Sequence, residues 1–166
     1  YKNKTNSYNI AFGYESQYSS NGGIYNISIG KHSLYAVTTG DYNTALSPST
    51  LQRITTASNN IAAGYGAMLY ADNGSTANTA YGTQAAQGVS SNEFDRGTFL
   101  GYRAGFGITT GDNNIMLGYQ SGDNITSGSN NIALGYNIDL PSATADDQLV
   151  IGNIIYGTSV DGTGTS

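Results

Sequence analysis

The chain of 166 residues has no cysteine, no tryptophan, one histidine and only 10% charged residues. Without cysteine there are no disulfides and no thiolate metal sites. His32, the single histidine, shares its coil position with Glu15, Gly66, Gln84, Arg103, Gln120 and Asn137 and so reads as solvent-facing, from which a Ser-His-Asp set could be drawn only by accident. Six Lys and Arg against eleven Asp and Glu, a formal net charge of -5, make no basic stripe, so nucleic acid is not an expected partner. No stretch approaches the roughly 18 apolar residues of a membrane span, and no charged-then-apolar leader opens the chain. No membrane insertion is expected of this segment, and a start at Tyr1 reads as a piece cut from a longer protein. Apolar residues make up 38%, below the usual roughly 45–50%. The low net charge nevertheless argues against a solvated, disordered chain.

What is present is glycine (23 residues), tyrosine (14 residues) and repetition. Nine copies of a five-residue motif open on Asn9, Asn26, Asn43, Asn60, Asn78, Gly97, Asn114, Asn131 and Gln148. They close on Gly13, Gly30, Ser47, Gly64, Gly82, Gly101, Gly118, Gly135 and Gly152. Successive copies start 17 residues apart, apart from single steps of 18 (to Asn78) and 19 (to Gly97). Such self-similarity is the mark of a repeat architecture.

Each motif reads as a short strand, too short for a helix, with alternate side chains on opposite faces. Positions two and four (Ile10 and Phe12, Ile132 and Leu134) are the bulky apolar ones and are expected to fill the coil interior. A second, weaker strand is expected at Leu34–Val37, before turns such as Thr39-Gly40-Asp41. Equivalent residues then stack in parallel rungs about 4.8 Å apart, giving a rod on the order of 40 Å. The expected fold is all-β, a parallel β-roll or β-solenoid of about nine 17-residue coils. The recurrent Asn is expected to form a side-chain ladder or serve a turn. Small residues three places after the motif glycine (Ser16, Ser33, Thr50, Ala67, Ala85, Ala104, Ser121) are expected to form an outer face. A second backbone could approach that face closely, and with so thin a core this points to a homotrimeric β-prism. The repeat domain spans 8–157, after a lead-in at 1–7 and before a Gly/Thr-rich extension at 158–166.

The serial Asn-x-Ala-Leu/Ile-Gly motif resembles the heads of YadA-like trimeric autotransporter adhesins. The longer form, Asn-Asn-Ile-Ala-Leu-Gly-Tyr, is similar to repeats of phage tail fibres. The stretch from Asp147 to Gly157, with Asp161 to Gly164, resembles the segment that often precedes an endosialidase-type intramolecular chaperone. The resemblance covers residues 8 to 164, and the period is longer than in the adhesin heads, which leaves coil handedness open. It implies a trimeric extracellular fibre, on a virion or a bacterial surface, that binds itself and a glycan or protein receptor.

Little in the sequence asks for chemistry. A glycosidase needs two carboxylates at fixed separation in a cleft, and nothing selects a pair among those scattered through the turns. The Gly111-Asp-Asn and Gly122-Asp-Asn turns resemble calcium loops but lack the calcium β-roll nonapeptide, and no glutamate follows at EF-hand spacing. No enzyme activity, metal or cofactor is therefore expected. Two features are candidates for binding. Tyr102, Tyr119 and Tyr136 follow the motif glycine on consecutive rungs, as a packing ladder or an aromatic platform. The two longer periods put extra residues at Asn73 and its neighbours and at Glu93, Phe94, Asp95 and Arg96, and insertions in repeats often mark the binding face. The expected function is a structural and attachment module. The alternatives are a purely mechanical spacer and an ice-binding solenoid with threonine at Thr44, Thr79 and Thr98.

Overall fold

A computed structural model of the chain describes residues 8–90, 92–152 and 155–158. Its strands are β1 (Ile10–Phe12), β2 (Ile27–Ile29), β3 (Thr44–Leu46), β4 (Ile61–Ala63) and β5 (Thr79–Tyr81). They continue with β6 (Thr98–Leu100), β7 (Ile115–Leu117), β8 (Ile132–Leu134), β9 (Gln148–Ile151) and β10 (Ile155–Thr158). All ten form one sheet in chain order. From β1 to β9 every pairing is parallel, motif position against motif position, as in Ile10 against Ile27 and Ile115 against Ile132. The chain is thus an all-β solenoid whose rungs are the motif copies. The last strand departs from the repeat: β10 folds back antiparallel on β9, with Ile155 opposite Ile151. Residues 1–7 and 159–166, the expected lead-in and most of the extension, lie outside the described residues.

The coil faces the other way from the sequence expectation. Position three, not positions two and four, points inward: Ser28, Ala45, Ala62, Phe99, Met116 and Ala133 are all 0% exposed. The bulky pairs face out, with Phe12 73%, Ile61 51% and Tyr81 63% exposed. The residues three places after the motif glycine are likewise inside, among them Ser33, Thr50, Ala67 and Ala104. They are therefore core and not the outer small-residue face. The physical reason is width. One 17-residue turn encloses too little space for two branched side chains per rung, so the small residues go in.

Volume compensates across that interior. On three consecutive rungs where position three is small, the residue six places on is large: Ser28 with Leu34, Ala45 with Leu51, Ala62 with Met68. Where position three is large, the partner is glycine. A Cβ on Gly105 would overlap the Phe99 ring, and one on Gly122 the Met116 sulfur. Close packing of interiors makes these exchanges obligatory.

Leu34–Val37, expected as a second strand, is a turn segment. It still stacks on the next coil, with Leu34 N–H donating to Thr50 O at 3.1 Å and Ala36 N–H to Gln52 O at 3.1 Å. Leu34 (φ 48°), Leu51 (49°) and Met68 (50°) hold left-handed backbone there, as do Tyr25 (57°) and Asn59 (62°) before the motif. Such conformations cost non-glycine residues about 1–2 kcal/mol each, and the stacking on both sides holds them. At the motif's fifth position the backbone is more extreme. Gly101 has φ 138°, and a Cβ there would overlap the Gly118 carbonyl. Only Ser47, at φ 128°, breaks the glycine run in β1–β8.

The Asn ladder is an interior one. Asn43 N–H donates to Asn26 Oδ1 at 2.9 Å, Asn60 N–H to Asn43 Oδ1 at 3.1 Å and Asn131 N–H to Asn114 Oδ1 at 2.9 Å. Each amide nitrogen also reaches across the coil to a turn carbonyl, as Asn26 Nδ2 to Gly40 O at 2.7 Å and Asn60 Nδ2 to Ser75 O at 2.8 Å. One side chain thus ties rung to rung and strand to turn. The ladder is interrupted at Gly97, where the Phe99 ring takes up the space. Gln148 ends it, its Nε2 donating to Asn131 Oδ1 at 3.1 Å.

Candidate functional site

Four of the scattered carboxylates lie in the turn that leads into the strand, and they serve the backbone. Asp41 Oδ1 accepts the Ile24 N–H at 2.7 Å, Asp95 Oδ1 the Thr76 N–H at 2.6 Å, Asp112 Oδ1 the Asp95 N–H at 2.9 Å and Asp146 Oδ1 the Ser129 N–H at 2.7 Å. Ser58 Oγ and Ser129 Oγ do the same for Asp41 and Asp112. This is a second ladder, each acceptor satisfying an amide one coil below.

The second long loop is absorbed into these structures more than the sequence implied. Phe94 is only 1% exposed and meets the Phe99 ring edge-on, centroids 5.6 Å apart. It fills the coil whose position three and its partner are both alanine, Ala80 and Ala86, so it is a core plug and does not face a receptor. Asp95 is part of the turn ladder. Arg96 donates through Nε to Asn113 Oδ1 at 2.7 Å and through Nη2 to Asp112 Oδ2 at 3.3 Å, one rung up. In the first loop Asn73 Oδ1 accepts the Thr55 and Thr56 N–H groups at 2.9 and 3.2 Å. Glu93 is exposed, its side chain lying over Gly74. The exposed tips at Asn73-Gly74 and Glu93 are what these loops offer to a partner.

Tyr102, Tyr119 and Tyr136 do stack, with centroids 5.2 and 5.1 Å apart and rings 17° and 15° from parallel. Sequence reasoning missed a second stack, Tyr8–Tyr25–Tyr42, at 4.9 and 5.1 Å. Its signal was a tyrosine directly before the motif in three consecutive coils. In each stack the middle ring, Tyr25 or Tyr119, has a neighbour on both faces and the end rings on one, and Tyr8 and Tyr136 stay 73% and 74% exposed. Stacking of this kind on consecutive rungs adds to the stability of the coil.

His32 Nε2 lies 3.0 Å from Glu15 Oε2 and its ring is tilted against Tyr14 and Tyr35. The Glu15 carboxylate, by hydrogen bond and then by charge, pushes the Tyr14 hydroxyl above its ordinary pKa. Burial, and next the Asp139 carboxylate, raise the Asp123 carboxyl. Among the described residues no group of three or more His, Cys, Asp or Glu could hold a metal ion.

The largest coherent surface feature is the strand face itself. Positions two and four of all nine motifs carry Ile, Leu, Thr, Phe, Tyr or Ala and not one charge, from Ile10 to Ile151. The face is exposed from the first rung to the seventh, at Ile10, Phe12, Ile29, Leu46, Ile61, Leu100 and Ile115 among others, and half-buried on the last two. Contiguous apolar area on that scale marks an interaction surface. It contains a recess of about 350 Å³, with Ala63 and Gly64 in it and Leu46 and Tyr81 among its walls. No family model, no curated protein and no solved structure matches the chain.

Proposed function

We propose that the chain is a non-catalytic structural and attachment module of an extracellular fibre, a phage tail fibre or bacterial surface adhesin, that works as a homotrimer. The observation that carries this reading is the uncharged, largely apolar strand face, exposed from the first rung to the seventh. A monomer would leave it in water, whereas three copies turning it to a common axis make it a core. The repeat supports a mechanical role. Rungs tied by backbone bonds, by the Asn ladder and by the Asp ladder resist shear along the rod, and each contacts only its neighbours. Attachment falls to the exposed tips of the two longer turns, at Asn73 and Glu93, because loops held on a rigid scaffold are where recognition concentrates. Sedimentation of the intact chain at micromolar concentration tests the assembly. A species three times the 17.3 kDa chain mass is expected, and a monomer would overturn the reading.

A further inference from the structure

In the middle of the strand face the two exposed columns vary in opposite senses. Thr44 accompanies Leu46, Thr79 accompanies Tyr81 and Thr98 accompanies Leu100, but at the fourth coil Ile61 accompanies Ala63. The one alanine in the outer column produces the recess, between Leu46 and Tyr81. The same rung carries a protruding Ile61, 51% exposed. A knob and a hole therefore sit at equal height on one strand, two residues apart and side by side on one flat face.

Their use follows from symmetry. An odd-numbered closed ring of identical chains requires a rotation about a single axis, and rotation leaves all copies pointing the same way. If the axis runs along the rod, equal coils lie at equal height, and the position-two column of one copy adjoins the position-four column of the next. We propose that copies of this chain pack parallel and in register, the Ile61 side chain of each entering the Ala63 recess of its neighbour. This rests on the homotrimeric reading above and adds the partner's orientation, its register and the contact that sets them. The area is adequate. Nine rungs about 4.8 Å apart and a five-residue motif at about 3.3 Å per residue give on the order of 650 Å² per copy, within the roughly 600–1,000 Å² per partner of a specific interface. The absence of charge from the whole face removes any desolvation penalty for ionic groups. With identical spacing along the axis, a second copy matches the face at every rung, which a surface of another period cannot do.

The intact chain has no cysteine, so introduced thiols report contacts without background. Ile61→Cys combined with Ala63→Cys places two thiols about 6.6 Å apart on one strand, too far to join within a chain, since bonded Cβ atoms are about 3.5–4.5 Å apart. Under mild oxidation the double variant is expected to convert from the monomer band to a closed species of three chains on a denaturing, non-reducing gel. Leu46→Cys with Leu117→Cys is the opposing pair, on the third and seventh of nine rungs, which would join only in an antiparallel dimer. Dimers from that pair, or no cross-link from Ile61→Cys/Ala63→Cys in a sample that sediments as an oligomer, overturn the inference while leaving self-association standing. A dimer-only band from the Ile61→Cys/Ala63→Cys pair removes the three-copy stoichiometry and with it the inference. A monomer by sedimentation overturns both. Ala63→Trp gives an independent reading: it fills the recess, faces water in a single chain, and should dissociate the oligomer without unfolding the coil.

Discussion

Asn60 and Asn59 are adjacent and identical, yet one faces the interior and the other faces water, and this makes them a test of the ladder. Asn60→Ala deletes the donor to the Ser75 carbonyl (2.8 Å) and the acceptor for the Asn78 N–H (3.1 Å). Ser75, Asn60 and Asn78 are all within 1% of fully buried, so water cannot replace either partner. Each orphaned buried group costs about 1–3 kcal/mol, and two of them give a loss of about 4 kcal/mol. That is a large part of the roughly 5–15 kcal/mol that holds an ordinary domain together. Asn59→Asp, at an exposed left-handed position that Asp also tolerates, should cost less than about 0.5 kcal/mol. The assay is guanidinium unfolding of both variants at one protein concentration, since self-association would make the midpoint concentration-dependent. Hydrogen exchange should show the Asn78 amide losing protection first, with the Asn131 amide holding longer, because rungs feel only their neighbours. If Asn60→Ala lost under about 1 kcal/mol, or both variants behaved alike, the interior ladder would not be a source of stability.

Interior volume exchange predicts coupling. Phe99→Ala alone leaves a cavity worth about 3–5 kcal/mol, and Gly105→Leu alone collides with the Phe99 ring. The double variant recreates the Ala45 and Leu51 arrangement and should be better than the sum by more than about 1 kcal/mol; additive losses in a thermal or denaturant melt would refute the pairing. The raised Asp123 carboxyl predicts a pH effect. Its pKa lies higher in the folded than in the unfolded chain, so its contribution is favourable below the unfolded pKa and is lost as pH rises through the folded one. Asp123→Asn should therefore raise stability at neutral pH, by less than about 1 kcal/mol for so partly exposed a pair, and flatten the difference between acid and neutral melts. A destabilised Asn variant at neutral pH would contradict it.

The sequence alone determined that this chain stacks parallel rungs, where each rung begins and ends, and that its register has no slack. A 17-residue period with Asn at one end and Gly at the other has no other economical reading, and Ile10 against Ile27 follows from it directly. It also marked Asn26, Asn43 and Asn60 as a ladder, since an amide repeated at constant spacing can bond its copies. Which face goes in could not be read. Alternation of Ile132, Ala133 and Leu134 says that two faces differ, but hydrophobicity favours the bulky pair inside, while the volume enclosed by the closed coil admits only the small residue. Nor could the sequence show that Leu51 and Met68 adopt left-handed backbone, because nothing in a leucine or methionine asks for it; hydrogen bonds to the coils above and below impose it. Phe94 looked like an exposed aromatic in an irregular loop. Only the tertiary structure, which buries it edge-on against Phe99, gave that ring a place inside.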